Sequence, residues 1–156
     1  MVDSTAPRAS LLPLDRSVGY QIRMTHRLIQ RALQTRIEEH GVTLGMWYFL
    51  RILWDQDGLT QSELSRVVGT MEPTTLSAVA SMEKAGLVCR TRHSGDKRKI
   101  HINLTEKGRA LQATLLPMAA EVLGSAAQGL TDREVDLFLK LLYVMQDNLK
   151  RDLGAD

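Results

Sequence analysis

From Pro13 to Asp57 the hydrophobic positions recur with helical spacing. Val18, Ile22, Ile29 and Leu33 make one apolar stripe, which predicts a long first helix to about His40 with Gly41 as its stop signal. Thr43 is placed to cap a second helix running to about Asp55. Its apolar residues fall on two faces, Trp47, Leu50 and Trp54 on one and Met46, Phe49 and Leu53 on the other, so it is expected to be wedged between neighbours. After an Asp57-Gly58 turn, Thr60 and Glu63 form a capping-box pattern that opens a short third helix. Leu64 and Val67 are expected to face its core, and Gly69 to end it. Pro73 suits the first turn of a fourth helix, where its missing N–H costs nothing, and Gly86 closes that helix.

Beyond Gly86 the period changes from about 3.6 residues to about 2. Val88, Arg90 and Arg92 alternate, Ser94-Gly95-Asp96 makes a turn, and Ile100, Ile102 and Leu104 alternate again. This pattern predicts a two-stranded hairpin with a basic tip. Thr105 can cap a fifth helix, kinked at Pro117. Thr131 and Glu134 open a final helix whose stripe is Val135, Phe138, Leu142, Met145 and Leu149. The expected fold class is therefore mainly α with a small β-hairpin (α+β). Residues 1–13 read as a mobile N-terminal arm, and residues 14–156 as a single domain with a lobe at 43–104 between helical segments at 14–41 and 105–154.

The chain of 156 residues is 44% hydrophobic and 24% charged, as expected of a soluble globular protein, and with only 4% aromatics its core must be aliphatic. The net charge of +2 says less than its distribution. Between Leu87 and Leu104, Arg90, Arg92, Lys97, Arg98 and Lys99 stand against one acid, Asp96. The single cysteine, Cys89, excludes an intramolecular disulfide and a cysteine-based zinc cluster, and reads as a small buried thiol. No apolar run approaches the ~18–20 residues of a membrane span, and the N-terminus shows no apolar signal core, so a cytoplasmic location is expected. His26, His40, His93 and His101 lack metal-ligand spacing, and neither a Gly-rich phosphate loop nor a nucleophile motif is present. No enzyme, metal site or cofactor is expected.

Helix, turn, helix and hairpin in this order is the layout of a winged helix-turn-helix. The second helix of such a pair is placed to enter the major groove of duplex DNA. Its inner face must dock on the body, and its outer face must stay polar and small. With Val79 at the centre of the buried face, Thr75 and Met82 lie within about 60° of it, and Thr74, Ser77, Ser81 and Lys84 fall on the opposite side. These four, with Thr60, Thr70 and Pro73, are candidate DNA contacts. On the hairpin, Arg90, Arg92, Lys97 and Arg98 are candidates to neutralise phosphates. Arg98 is best placed for the minor groove, with Asp96 holding the tip in shape.

Three segments carry a resemblance: Met82-Glu83-Lys84-Ala85-Gly86-Leu87-Val88, then Asp96-Lys97-Arg98, then Leu104-Thr105-Glu106-Lys107-Gly108. In this order and spacing the chain, from about Leu14 to Leu153, resembles the MarR-type (multiple antibiotic resistance) winged-helix regulators. The resemblance implies an obligate homodimer whose N- and C-terminal helices interlock as a dimerisation domain. It also implies binding to a pseudo-palindrome, usually as a repressor, through a recognition helix at about Pro73–Ala85. It gives Asp96 the task of steadying the wing and Arg98 that of entering the minor groove. A two-fold dimer also gives the apolar stripes of the long outer helices somewhere to go. Many relatives take a small aromatic or phenolic acid between the dimerisation helices and the DNA-binding lobe. His26 falls on the stripe of Ile22 and Ile29, and Arg51 on the face of Trp47 and Trp54, so His26, Trp47 and Arg51 are candidate contacts for an aromatic acid or acyl thioester effector. The alternative for these residues is structural, a packed histidine and an arginine bridging to a carboxylate. The alternative for the protein is a winged-helix DNA-binding protein without a small-molecule effector, architectural or protein-regulated.

Overall fold

The computed structural model describes residues 13–92 and 99–154. The N-terminal arm up to residue 12 and the Ser94-Gly95-Asp96 turn lie outside the described residues, as do Lys97 and Arg98. The chain divides into two compact units, residues 1–120 and 121–156.

In the first unit, the Ser17 side chain accepts the Tyr20 N–H and opens α1, Val18–Ile37. A 3-10 turn, Glu38–His40, leads to Gly41. The Thr43 hydroxyl accepts the Met46 N–H at 3.3 Å and starts α2, Leu44–Asp55. Then come β1 (Leu59–Thr60), α3 (Gln61–Val68), α4 (Glu72–Lys84), β2 (Val88–Arg92), β3 (Ile100–Leu104) and α5 (Glu106–Ala126), whose residues from Glu121 on belong to the second unit. The expected helices and hairpin are all present.

The sheet has one strand more than the alternation predicts. Leu59 and Thr60 pair antiparallel with Ile102 and His101, so the order is β1-β3-β2. A strand of two residues is too short to show a period. Between β2 and β3 the register runs from Val88 opposite Leu104 to Arg92 opposite Ile100.

Leu50 and Leu53 of α2, Leu64 of α3, Val79 and Met82 of α4, Ile102 of β3 and Leu115 of α5 are fully buried. Each contributes about 1.5–3 kcal/mol of apolar burial. Two expectations are corrected. Val67 is 48% exposed, and Ser65 is buried in its place. The inner side of α3 runs through Leu64 and Ser65, and Val67 lies about 200° around the helix from Ser65. The Ser65 hydroxyl tolerates burial because the Gln61 carbonyl, at 2.9 Å, accepts its proton. Cys89 is exposed, not buried, because strand alternation turns Val88 inward and its neighbour outward.

In the second unit, Thr131 and Glu134 make the predicted capping box and open α6, Asp132–Asp152. Along the predicted stripe Val135, Leu142 and Met145 are half-buried, whereas Phe138 is 52% exposed and Leu149 is also exposed. Leu137, Leu141 and Val144, on another side of the helix, are exposed as well.

Candidate nucleic-acid interface

The site is built on the α3–α4 corner. At its start the Thr60 hydroxyl accepts the Glu63 N–H, and Glu63 Oε2 accepts both the Thr60 N–H at 2.8 Å and the Thr60 hydroxyl at 2.7 Å. These bonds, the backbone one foremost, hold the Glu63 carboxyl below the usual carboxylate range. Gly69 turns the corner with φ at +74°, a left-handed conformation that side chains resist. Behind the corner Thr75 is fully buried, its hydroxyl oxygen 2.7 Å from Ser65 Oγ and 3.0 Å from Thr70 Oγ1. This hydroxyl cluster satisfies a polar group that apolar burial would otherwise penalise, and links α3 to α4.

With Thr75, Val79 and Met82 buried, α4 presents Thr74, Ser77, Ser81 and Lys84 together on its exposed side. The Ser81 hydroxyl donates to the Ser77 carbonyl at 3.0 Å, which leaves its oxygen as an outward acceptor. Beside this face an open groove of about 530 Å³ runs between the start of α2 (Thr43, Gly45, Met46) and Pro73, Thr74, Ser77, Ala78 and Ser81.

The end of α4 and the root of the hairpin are tied to the first turn of α5. The Thr105 hydroxyl donates to the Gly86 carbonyl at 2.7 Å, and Lys107 Nζ to the Ala85 carbonyl at 2.8 Å. Gly108 lies so close to the Leu87 carbonyl that a Cβ there would stand 2.1 Å from its oxygen. Trp54 Nε1 donates to the Gly108 carbonyl at 2.9 Å. Asp57 adds a clamp. Its Oδ1 accepts the Leu104 N–H at 2.8 Å, and its Oδ2 is 2.6 Å from Arg109 Nη2. Two of the segments that carried the resemblance, one around Ala85-Gly86-Leu87 and one around Thr105-Lys107-Gly108, thus meet in space.

The MarR family model matches residues 42–100, which hold α2, this corner and β2 and end at the first residue of β3. A MarR transcriptional regulator from Methanosarcina mazei Go1 superposes with a TM-score of 0.80 at 28% identity, over 86% of this chain and 96% of that one. Residues 42–100 thus match the MarR family, and the fold is similar to that of a MarR regulator. Among curated relatives, the HTH-type transcriptional regulator TtmR of Methylorubrum extorquens (strain PA1) is 26% identical over 96% of this chain and 80% of its own length. The HTH-type transcriptional repressor YetL of Bacillus subtilis (strain 168) is 30% identical over 65% of this chain and 62% of its own length. The protein is a DNA-binding transcriptional regulator. Among the described residues no helix is long and apolar enough to cross a membrane.

Against this family fold, the residues singled out in the sequence separate into groups. Pro73, Thr74, Ser77, Ser81 and Lys84 share the exposed part of α4. The hydroxyls of Thr60 and Thr70 are engaged within the corner. Arg90 Nη1 is 3.0 Å from Glu83 Oε2, so β2 is bound to the end of α4, whereas Arg92 is exposed. Asp96, Lys97 and Arg98 lie outside the described residues. Trp47 and Arg51 line a cleft of about 470 Å³ with Tyr48, Ile52, Asp55, Val67 and Val68. His26 is not in that lining, and its ring stands 6.5 Å from that of Tyr48. Trp54 turns elsewhere, meeting Trp47 edge-on at 5.8 Å and donating to Gly108. Sequence reasoning passed over Tyr48 and the exposed Leu76, because apolar residues at helical spacing read as core.

Proposed function

We propose that the chain acts as a homodimer on a pseudo-palindromic operator, with α4 of each protomer in the major groove and the hairpin on the flanking backbone. The observation that carries this reading is the division of α4 into a sealed inner face and an outer row of Thr74, Ser77, Ser81 and Lys84. Short hydroxyls there contact base edges at close range, and Lys84 and Arg92 neutralise phosphates. Pro73 packs beside the backbone. For Asp96, Lys97 and Arg98, which lie outside the described residues, the proposed roles are those the sequence suggests, phosphate or minor-groove contact for the two basic residues and support of the wing for the acid. For Thr60, Thr70 and Arg90, whose polar groups are already engaged, the role is to hold the reading helix and the wing in place. Exposed apolar residues on α1 (Val18, Ile22, Leu28) and on α6 support association with a second copy. Two recognition helices about 34–36 Å apart then meet successive turns of the groove.

The regulator represses, as the name of its relative YetL states for that protein. A small aromatic acid or acyl thioester releases it. The cleft at Trp47 and Arg51 supports this, since its volume of about 470 Å³ falls in the range of small-molecule sites and it sets a guanidinium beside aromatic rings. His26 acts through its ring contact with Tyr48.

Operator selection followed by gel shifts over a salt series tests the first part. A selected site held against competitor DNA is expected, with Ser77→Ala shifting site preference by roughly 1–3 kcal/mol. Equal affinity for selected and random duplexes would refute it. Titration with aromatic acids and acyl thioesters, following tryptophan fluorescence and DNA release, tests the second. A response that Arg51→Ala leaves unaltered would remove the cleft from the mechanism.

A further inference from the structure

We propose that Leu76, with Ala80 one turn further along α4, selects thymine in the operator by covering its 5-methyl group in the major groove. The proposal rests on α4 being the reading helix.

At about 100° per residue, Leu76 and Met82 lie some 60° to either side of Val79. By the helical wheel alone they are equivalent. The fold treats them oppositely. Met82 is fully buried, whereas Leu76 is 49% exposed and Ala80, four residues on, is exposed too. One flank of α4 is therefore sealed against the lobe, and the other is an uncovered apolar strip alongside Ser77.

When the row of Thr74, Ser77 and Ser81 enters a groove about 12 Å wide, the adjoining strip loses its water as well. Leu76 and Ala80 have no donor or acceptor to offer. An amino or keto group opposite them would be stripped of water without a replacement partner, which costs affinity. The thymine methyl is the one apolar group on a major-groove edge, and only it meets this strip without loss. The strip therefore adds A·T preference to positions flanking those read by the hydroxyl row.

The test uses the full-length protein and its selected operator. Each thymine of a half-site is replaced in turn by uracil, which removes the methyl and leaves base pairing intact. One such position is expected to weaken wild-type binding about three- to fivefold, the weight of one buried methyl group. Leu76→Ala should bind the unmodified operator more weakly by a similar factor and be indifferent to uracil at that position. Leu76→Met, still apolar, should keep the thymine-to-uracil difference. Because Leu76 is half-exposed, these variants are expected to melt with the wild type. Uracil tolerated at every position, or a uracil penalty that persists in Leu76→Ala, overturns the proposal. Ser77→Ala separates the two levels. If it still shifts site preference, α4 remains the reading helix without a thymine contact, and if it does not, the reading beneath the proposal falls with it.

Discussion

Helices α4 and α6 treat their apolar residues in opposite ways. In α4, Thr75, Val79 and Met82 are buried by the lobe of the same chain, and a polar row is left outside. In α6 no residue is buried, and Leu137, Phe138, Leu141, Val144 and Leu149 are exposed on several sides. A helix apolar over so wide an arc is one that packs between neighbours. The contrast separates a lobe completed within one chain from a helix that one chain leaves uncovered. In the proposed function the finished surface of the lobe meets DNA, and the unfinished one of α6 meets another copy of the protein.

The comparison can be broken from either side. The largest effect is expected from Gly108→Ala, because a methyl 2.1 Å from the Leu87 carbonyl oxygen displaces backbone. It should cost about 3 kcal/mol or more in denaturant unfolding and loosen the hairpin root. A near-wild-type melting curve would mean that α5 and the hairpin root are not in fixed contact. Next comes Asp57→Ala, which removes the acceptor for the Leu104 N–H and the partner of Arg109. About 2 kcal/mol is expected, with faster amide exchange at Leu104 as the local readout. Both variants belong to the completed lobe, so their cost appears in unfolding.

Leu141→Glu sits on the other side of the comparison. It should leave the lobe folded and weaken self-association at least about tenfold in sedimentation velocity, by placing a charge where an apolar contact is proposed. Unchanged association would take α6 out of the interface. The smallest effect concerns acid. Glu63 and Glu134 are held below the usual carboxylate range by hydrogen bonds from Thr60 and Thr131, chiefly from the backbone N–H. A carboxyl with a lowered folded pKa stabilises at pH values above its unfolded pKa, and this contribution fades as pH falls through the folded value. Glu63→Gln should therefore flatten the loss of stability below about pH 4 and change little at pH 7. An unchanged acid limb would show that the capping box contributes no pH-dependent stability.

How much was legible in the sequence depended on the range of the interaction. Both capping boxes, the Thr43 cap and the inner face of α4 were read correctly, since each rests on residues within one or two turns of each other. The same local logic misplaced Val67. Which side of α3 faces inward was settled by a hydroxyl cluster with Thr75, ten residues away from Ser65. Strand β1 escaped notice because two residues acquire their extended form only by pairing with β3. In the candidate site, the polar row of α4 and the engagement of Thr60 with Glu63 were foreseeable, whereas the engagement of Thr70 and Arg90 was not. Their partners could be named only once the corner and the hairpin were folded.

Periodicity, caps and the basic hairpin were thus sufficient to give the element order and the resemblance to the MarR family. They work because helix and strand preferences are set over a few residues. The exposure of Leu76 against the burial of Met82 needed the folded lobe. Two residues at equal angles from the same helical centre differ only in what distant parts of the chain bring against them.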